Sequence, residues 1–429
     1  MSKTIERVIG RRIWDSRGRP TIEVDVLLTG GITGRGVAPS GASRGTHEAV
    51  EIRDGGTTLG GRDVRRAIAI VEEQIAPALR GMDVRNQREV DEAMIVLDGT
   101  SSKSRLGGNS LIATSMAVLN AAAAAAGEPL WRYLSEGRRV RIPLPEIQIF
   151  GGGAHAGCRV DIQDFLIMPI GADSFSQAMV MASDVYHAAG ELMTETAPLL
   201  GVADEGGWWP NFASNEEGLD VLARAIRRSG YDDGRVVISL DIAASEFGRG
   251  NRYRPTLYGR DFTREEWMEV VLGWIRTYPI LSVEDPMADN DSLGMIAFTR
   301  AAPDSVQVIG DDYLVTDAKR VSQASVDGAC NAVLIKPNQA GTITETREAL
   351  VAAQSAQWGT IVSARSGESE DVTIAHLAVG WDAGQLKVGS FSRSERMAKW
   401  NEVLRIEEAL GKDAEYAGAS ALRAAPSLA

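Results

Sequence analysis

Two rhythms of apolar and polar positions divide the chain. Thr21–Leu28 alternates with period two, as a half-buried strand does, and a glycine-rich turn at Gly30, Gly31 and Gly34 is expected after it. A Gly- and Ser-rich loop, Pro39–Thr46, then leads into helical patterning from about Val64 to Leu134. Strands first and helices after, without alternation, predict a small α+β domain over residues 1–135. The closely spaced prolines of Arg138–Pro145 oppose helix and mark a junction. Beyond it, short apolar runs alternate with helical stretches. The runs are Val236–Asp241, Ile280–Asp285, Val306–Asp312, Ala332–Lys336, Thr360–Ser363 and a last one that reaches Lys387. Their spacing, roughly 25–45 residues, suits a strand plus a helix of an eightfold barrel. Continuous apolar runs are what parallel strands buried on both faces require. The expected fold class is therefore α/β: an N-terminal α+β domain, then a (β/α)8 barrel over residues 140–429.

Composition narrows the function more than the fold. A net charge of −13 and a pI near 5.0 oppose nucleic acid as a partner, because phosphates attract basic surfaces. An anionic small molecule stays possible, since a local site can be cationic, above all with a bound metal. Cys158 and Cys330 are the only cysteines, too few for a disulfide framework, and a reducing cytoplasm fits. The first residues lack the apolar core of a signal peptide. The small-apolar run Leu119–Gly127 is too short to span a bilayer and reads as a tightly packed helix. No membrane partner is expected.

Barrel enzymes carry their chemistry at the C-terminal strand ends. Asp241, Glu284 and Asp311 are acids at three separate predicted strand ends. Converging carboxylates repel one another unless a cation lies between them, and hard divalent cations take such oxygen ligands. With no Cys or His cluster beside them, Mg²⁺ is indicated. Lys336 and Lys387 also end predicted strands. A buried lysine near a metal is expected to have a lowered pKa and to serve as a base.

With these residues in place, a resemblance becomes visible over nearly the whole chain. Asp15–Gly18, Pro39–Ser43, Gly152–Ala156, Asp204–Gly207, Asp241–Glu246, Glu284–Pro286, Gly310–Asp312, Lys336–Gln339, Arg365–Glu368 and Ser392–Arg396 stand in the order of the enolase family's motifs. The resemblance implies an enolase-type barrel with one early antiparallel strand. It implies two Mg²⁺ ions, the first held by Asp241, Glu284 and Asp311 and a second contacted by Ser40 on a mobile loop. Lys336 would take the proton beside the substrate carboxylate, with Lys387 near that carboxylate. Glu205 would assist departure of the hydroxyl group. Arg365 and Ser366 would bind phosphate, and His155 would reach in from another loop. Gln163, beside Asp164, counts with the substrate contacts. A homodimer or larger homo-oligomer, acting on a small phosphorylated or phosphonylated carboxylate, is the assembly the family suggests.

Departures from the family cluster around the leaving-group side. Ala364 stands where the family has histidine, Asp164 where it has glutamate, Gly151 where it has asparagine, and Arg44 where it has threonine. Trp208 and Trp209 replace a common Phe-Ala pair. Only His47, His155, His187 and His376 could supply a substitute imidazole. A vacated ring volume at Ala364 and an added cation at Arg44 lead to the expectation of a larger or more anionic ligand. The tryptophans could wall it, although packing is their commoner use. That pattern resembles carboxyphosphonoenolpyruvate synthase, an enolase relative of phosphonate natural-product pathways. The alternatives are an ordinary enolase, dehydrating 2-phosphoglycerate to phosphoenolpyruvate, and a non-catalytic scaffold. Intact lysines and acids count against the last.

Overall fold

The computed structural model describes residues 3–42 and 45–422. The chain opens with an antiparallel sheet in the order β1 (Ile5–Trp14), β2 (Pro20–Leu28), β3 (Thr33–Val37). Helices α1 (Arg65–Ile70), α2 (Ala76–Leu79), α3 (Gln87–Asp98), α4 (Gly108–Ala126) and α5 (Leu130–Ser135) follow. Of the three glycines assigned to the first turn, Gly30 and Gly31 turn the chain with positive φ, whereas Gly34 lies inside β3. The reason is packing. A Cβ on Gly34 would sit 2.6 Å from Ala121 Cα, and one on Gly36 2.6 Å from Ala117 N. Strand and helix meet backbone to backbone, which explains the alanines of α4. At 19 residues α4 is longer than its alanine run suggested, and by length and composition it could cross a membrane. Most of it is buried inside this fold instead.

Eight strands close a barrel: β4 (Leu144–Gly151), β5 (Asp164–Met168), β6 (Val237–Asp241), β10 (Ile280–Glu284), β11 (Gln307–Gly310), β12 (Ala332–Ile335), β13 (Gly359–Ser363) and β14 (Gly384–Ser390). Between β6 and β10 a small antiparallel sheet, β7 (Gly248–Arg249), β8 (Arg252–Tyr253) and β9 (Phe262–Thr263), forms an outlying hairpin layer. The barrel helices are α6 (Phe175–Thr194), α7 (Asn215–Arg228), α8 (Arg264–Thr277), α9 (Ser292–Ala301), α10 (Ala318–Asp327), α11 (Pro337–Ala340), α12 (Ile343–Ser355), α13 (Thr373–Gly380) and α14 (Ser394–Leu410). All barrel neighbours are parallel except β4–β5 and β5–β6. The β4–β5 connection carries only a short 3-10 turn, Gly153–Ala156. With no helix to cross back over the sheet, the chain returns antiparallel. The consequence is chemical. Asp164 begins β5 yet pairs in register with Asp241, which ends β6, so both lie at one mouth of the barrel.

The N-terminal helices dock on the barrel through buried polar contacts as well as apolar ones. Asp91 on α3 accepts from Ser115 Oγ at 2.6 Å and from Thr344 N and Oγ1 at 2.9 and 2.6 Å. Those bonds tie α3 and α4 to the start of α12, and they leave the buried carboxylate solvated by protein.

Candidate active site

The strand ends deliver the expected side chains to one pit. Asp241 and Glu284 finish β6 and β10, Asp311 follows β11, and Lys336 follows β12. Lys387 differs from expectation: it lies in the middle of β14, not at its end. Its Nζ donates to Asp241 Oδ2 at 2.9 Å and Glu284 Oε2 at 2.7 Å, and Asp164 Oδ2 is 3.6 Å away. Lys336 donates to Asp311 Oδ2. Lys387 thus bridges Asp241 and Glu284, and Lys336 pairs with Asp311.

Without a metal ion between the acids, this arrangement raises both lysine pKa values. Burial does push both lysines down, but the carboxylates outweigh it: Asp311 raises Lys336, and Asp241, Glu284 and Asp164 raise Lys387 well above the ordinary range. Burial also drives Glu284 well up, reinforced by Asp241 and resisted by Lys387. For Asp311 burial acts upward as well, yet Lys336 prevails and the net shift is downward.

Two further acids escaped the sequence reading although their motifs were visible. Asp285 Oδ1 and Oδ2 accept the backbone N–H groups of Asp311 and Asp312 at 3.0 and 2.7 Å. Ligand atoms of Asp285, Asp311 and Asp312 lie within 4.8 Å of one another. Burial first, then the charge of Asp311, holds Asp285 and Asp312 well above the ordinary carboxylate range. Glu284 Oε1 has no hydrogen-bond partner among the described residues. An all-oxygen donor set with an orphaned carboxylate oxygen and mutually repelling acids fits a hard divalent cation.

The opposite wall is a second polar chain. His155 Nδ1 lies 2.8 Å from Asp164 Oδ1, and its Nε2 is 2.9 Å from Ser366 Oγ and 3.6 Å from Glu205 Oε1. Burial lowers the His155 pKa, but Asp164 and Glu205 outweigh it and raise it to about 9. Asp164 is pulled below the usual range because His155 and Lys387 overcome its burial. Gln148, which the sequence reading passed over, supports this wall: its Nε2 donates to Asp164 and its Oε1 accepts from Gly207 N at 2.8 Å. Ala203, with Gln148 behind it, accounts for Gly151. A Cβ there would lie 2.6 Å from Ala203 Cβ and 3.2 Å from Gln148 Oε1.

Arg365 Nη1 and Nη2 donate to Glu48 at 3.0 and 3.2 Å, and Nη1 also reaches Asn338 Oδ1 at 3.1 Å. Arg396, fully buried, fixes this loop by donating to the Arg365 and Ser366 carbonyls. Gln163 Nε2 donates to Asp241 Oδ2 at 3.1 Å. Ser40 is not beside the acids: its Oγ is 3.3 Å from Glu51 Oε2, while its backbone bridges to Gly367 across the site's rim. Arg44 lies outside the described residues. The tryptophans do not line the cavity: Trp208 stacks on Tyr186, 4.7 Å between centroids, and donates to the Tyr186 carbonyl. Ala364 does line it, together with Glu205, Lys336, Ser366 and their neighbours. The space enclosed is only about 20 Å³, room for about one water. The atoms vacated at Ala364 have not left a large open chamber.

Comparison with known proteins agrees with this geometry. Residues 5–134 match the family described as enolase, N-terminal domain, and residues 139–425 that described as enolase, C-terminal TIM barrel domain. "Enolase 1" of Desulfitobacterium hafniense (strain Y51) is 48% identical over 416 residues, covering 96% of this chain and 95% of the relative. "Enolase" of Acidothermus cellulolyticus is 47% identical over 418 residues, covering 97% of each. Two lysines set among strand-end acids in a barrel with a reversed second strand, and a match that runs from residue 5 to residue 425, lead to one conclusion: the chain belongs to the enolase family.

Proposed function

We propose that the chain is a Mg²⁺-dependent phosphopyruvate hydratase, converting 2-phosphoglycerate to phosphoenolpyruvate and water. The observation that carries this reading is the facing of two walls across one small pit: Lys336 and Lys387 among acids on one side, Glu205 with His155 and Asp164 on the other. Asp241, Glu284 and Asp311 would hold a Mg²⁺ ion, which when bound neutralises charge that builds on the substrate carboxylate. Lys336 Nζ takes the proton from the carbon beside that carboxylate, and it can do so only after Asp311 ceases to be its partner. Lys387 stays protonated and faces the carboxylate. Glu205, within 3.6 Å of the His155 ring, passes a proton to the departing hydroxyl. Arg365 and Ser366 bind the phosphate, and the Ser40 loop covers it. The working assembly is taken to be a homodimer.

The phosphonate-pathway reading drawn from Ala364, Asp164 and Arg44 has lost ground. Relatives at 47–48% identity over nearly the full chain bear the plain name enolase, and the cavity beside Ala364 is small. Its one remaining support is the missing imidazole next to Arg365 and Ser366. Purified protein given Mg²⁺ and 2-phosphoglycerate separates the two. Phosphoenolpyruvate formation, followed by its ultraviolet absorbance, at ordinary enolase rates supports the hydratase. No turnover together with tight binding of phosphonoformate would replace it with the specialised reading.

A further inference from the structure

The ladder that joins β13 to β14 runs out at the edge of the catalytic pit. Its last register pair is Ser363 with Lys387, and the Ala364 N–H donates to the Lys387 carbonyl at 2.8 Å. Beyond that point the two segments part. One becomes the loop of Arg365 and Ser366, and the other continues along β14 through Val388. All three residues are buried. Carbonyls that face such a fork lack a ladder partner across it and need donors from elsewhere.

One side chain supplies them. Arg396, on α14, is 0% exposed. Its Nη1 donates to the Arg365 carbonyl at 2.7 Å and to the Val388 carbonyl at 2.8 Å, and its Nη2 donates to the Ser366 carbonyl. A rigid planar fork of N–H donors can hold two separate segments at a set distance, which an ammonium on a flexible stem cannot. Burying a charge is costly unless it is paired or hydrogen-bonded. Here the bonds go to neutral carbonyls of both segments, while Glu395 Oε1 lies 3.5 Å from Arg396 Nε, which makes no hydrogen bond among the described residues. Lys399, equally buried, acts differently. Its Nζ donates to the Ser369 carbonyl at 2.6 Å and lies 3.0 Å from Glu368 Oε2, and Glu368 Oε1 accepts the Arg365 N–H at 3.0 Å. Lys399 therefore stiffens the loop within itself, whereas Arg396 ties the loop to β14. The helix that carries both is docked on the same strand by Trp400, whose Nε1 donates to the Ser390 carbonyl at 3.1 Å.

We infer that Arg396 is a positioning residue that sets the span of the substrate. It fixes how far Lys387, which faces the carboxylate, stands from Arg365 and Ser366, which bind the phosphate. The site therefore selects molecules whose phosphate ester sits on the carbon next to the carboxylate. This inference rests on the hydratase reading for the roles of those three residues, and adds to it the source of their discrimination. Arg396 touches no reacting atom. Its effect is on a ligand held at two points, which gains over a ligand held at one only while both contacts are made together.

The test uses the full-length chain carrying Lys336→Met, so that no ligand is consumed, with and without Arg396→Lys. Each protein is titrated calorimetrically with 2-phosphoglycerate, 3-phosphoglycerate and inorganic phosphate at saturating Mg²⁺. With Arg396 in place, 2-phosphoglycerate should bind about tenfold more tightly, or better, than 3-phosphoglycerate, whose phosphate is one carbon farther from the carboxylate. Arg396→Lys should bring the two within about threefold of each other and leave inorganic phosphate within about threefold of its former affinity, because a ligand held at one point does not sense the span. Should Arg396→Lys not fold by circular dichroism, Arg396→Gln, which keeps amide donors without a buried charge, takes its place. An unchanged ratio, an equal weakening of all three ligands, or no discrimination even with Arg396 in place would overturn the proposal. Discrimination that Arg396→Lys abolishes, in a protein whose parent does not dehydrate 2-phosphoglycerate, would support the span and remove the hydratase reading.

Discussion

Lys336 illustrates how one side chain can hold two roles in sequence. Paired with Asp311 it is a counter-ion, kept protonated by a carboxylate in a buried place. Freed of that partner it becomes a base. Lys336→Met keeps the length and removes the ammonium. Turnover should fall by about 10²–10⁴, the usual worth of a positioned proton-transfer group, while calorimetric Mg²⁺ affinity is retained because Asp311 keeps its carboxylate. Turnover within a few-fold of the parent would remove Lys336 from the chemistry. Gln148 acts at one remove, joining Asp164 on β5 to the Gly207 N–H beside Glu205. Gln148→Leu leaves both groups short of a partner in a buried place. A loss of about 1–3 kcal/mol in urea unfolding is expected, with a fall in kcat at little change in Mg²⁺ affinity. An unaltered midpoint and kcat would show that the Glu205 wall holds itself in place.

At the scale of elements, the contact between β3 and α4 shows what sequence patterning can and cannot convey. The alanines of α4 were visible as a packed helix, but their purpose was not. Small residues on the helix matter only because Gly34 and Gly36 bring a strand against them from over 70 residues earlier in the chain. Gly36→Val would push a branched side chain to within 2.7 Å of Met116 Cβ and into the α4 backbone. Overpacking of this kind costs about 1–3 kcal/mol or more. Thermal unfolding should show a clearly lowered midpoint, and an unchanged one would mean the helix is free to move away. The barrel was legible because buried parallel strands leave long apolar runs that stop at a polar residue. β5 was legible only through the family resemblance, since direction is not written in an apolar run. Asp241, Glu284, Asp311 and Lys336 announced themselves by ending strands. Asp285 and Gln148 did not, because their work is to hold backbone and neighbouring side chains, a matter of three-dimensional proximity, and Asp312 joins them only through its closeness to Asp285 and Asp311. The Arg365–Glu48 pair, 317 positions apart, was beyond reach for the same reason.

For the whole molecule, the concentration of buried charge makes stability depend on pH and on metal together. In the metal-free fold Glu284, Asp285 and Asp312 have pKa values raised above those of an unfolded chain. Each therefore contributes stability that is complete below the ordinary carboxylate range, about 4, and that is lost as pH rises through its raised folded value. Asp311 runs the other way, since its lowered value gives stability that is already present above about 4. Lys336 and Lys387, both raised, keep their contribution until pH passes the ordinary lysine range. His155, raised to about 9, loses its contribution between about 6.5 and 9. Asp241, a proposed metal ligand, is among the groups that raise it, so a bound ion would offset part of that shift. The larger metal-linked effect is the ionisation of the acids, because Mg²⁺ binds carboxylates and not carboxylic acids. The rise in thermal midpoint on adding saturating Mg²⁺ should therefore grow from about pH 5 to about pH 8, with protons released on binding at the lower end, as calorimetry in buffers of different ionisation enthalpy would report. A midpoint increment that is flat across this range, with no proton release, would show that these acids are already ionised in the metal-free protein, and that the two lysines alone keep the pit from repelling itself apart.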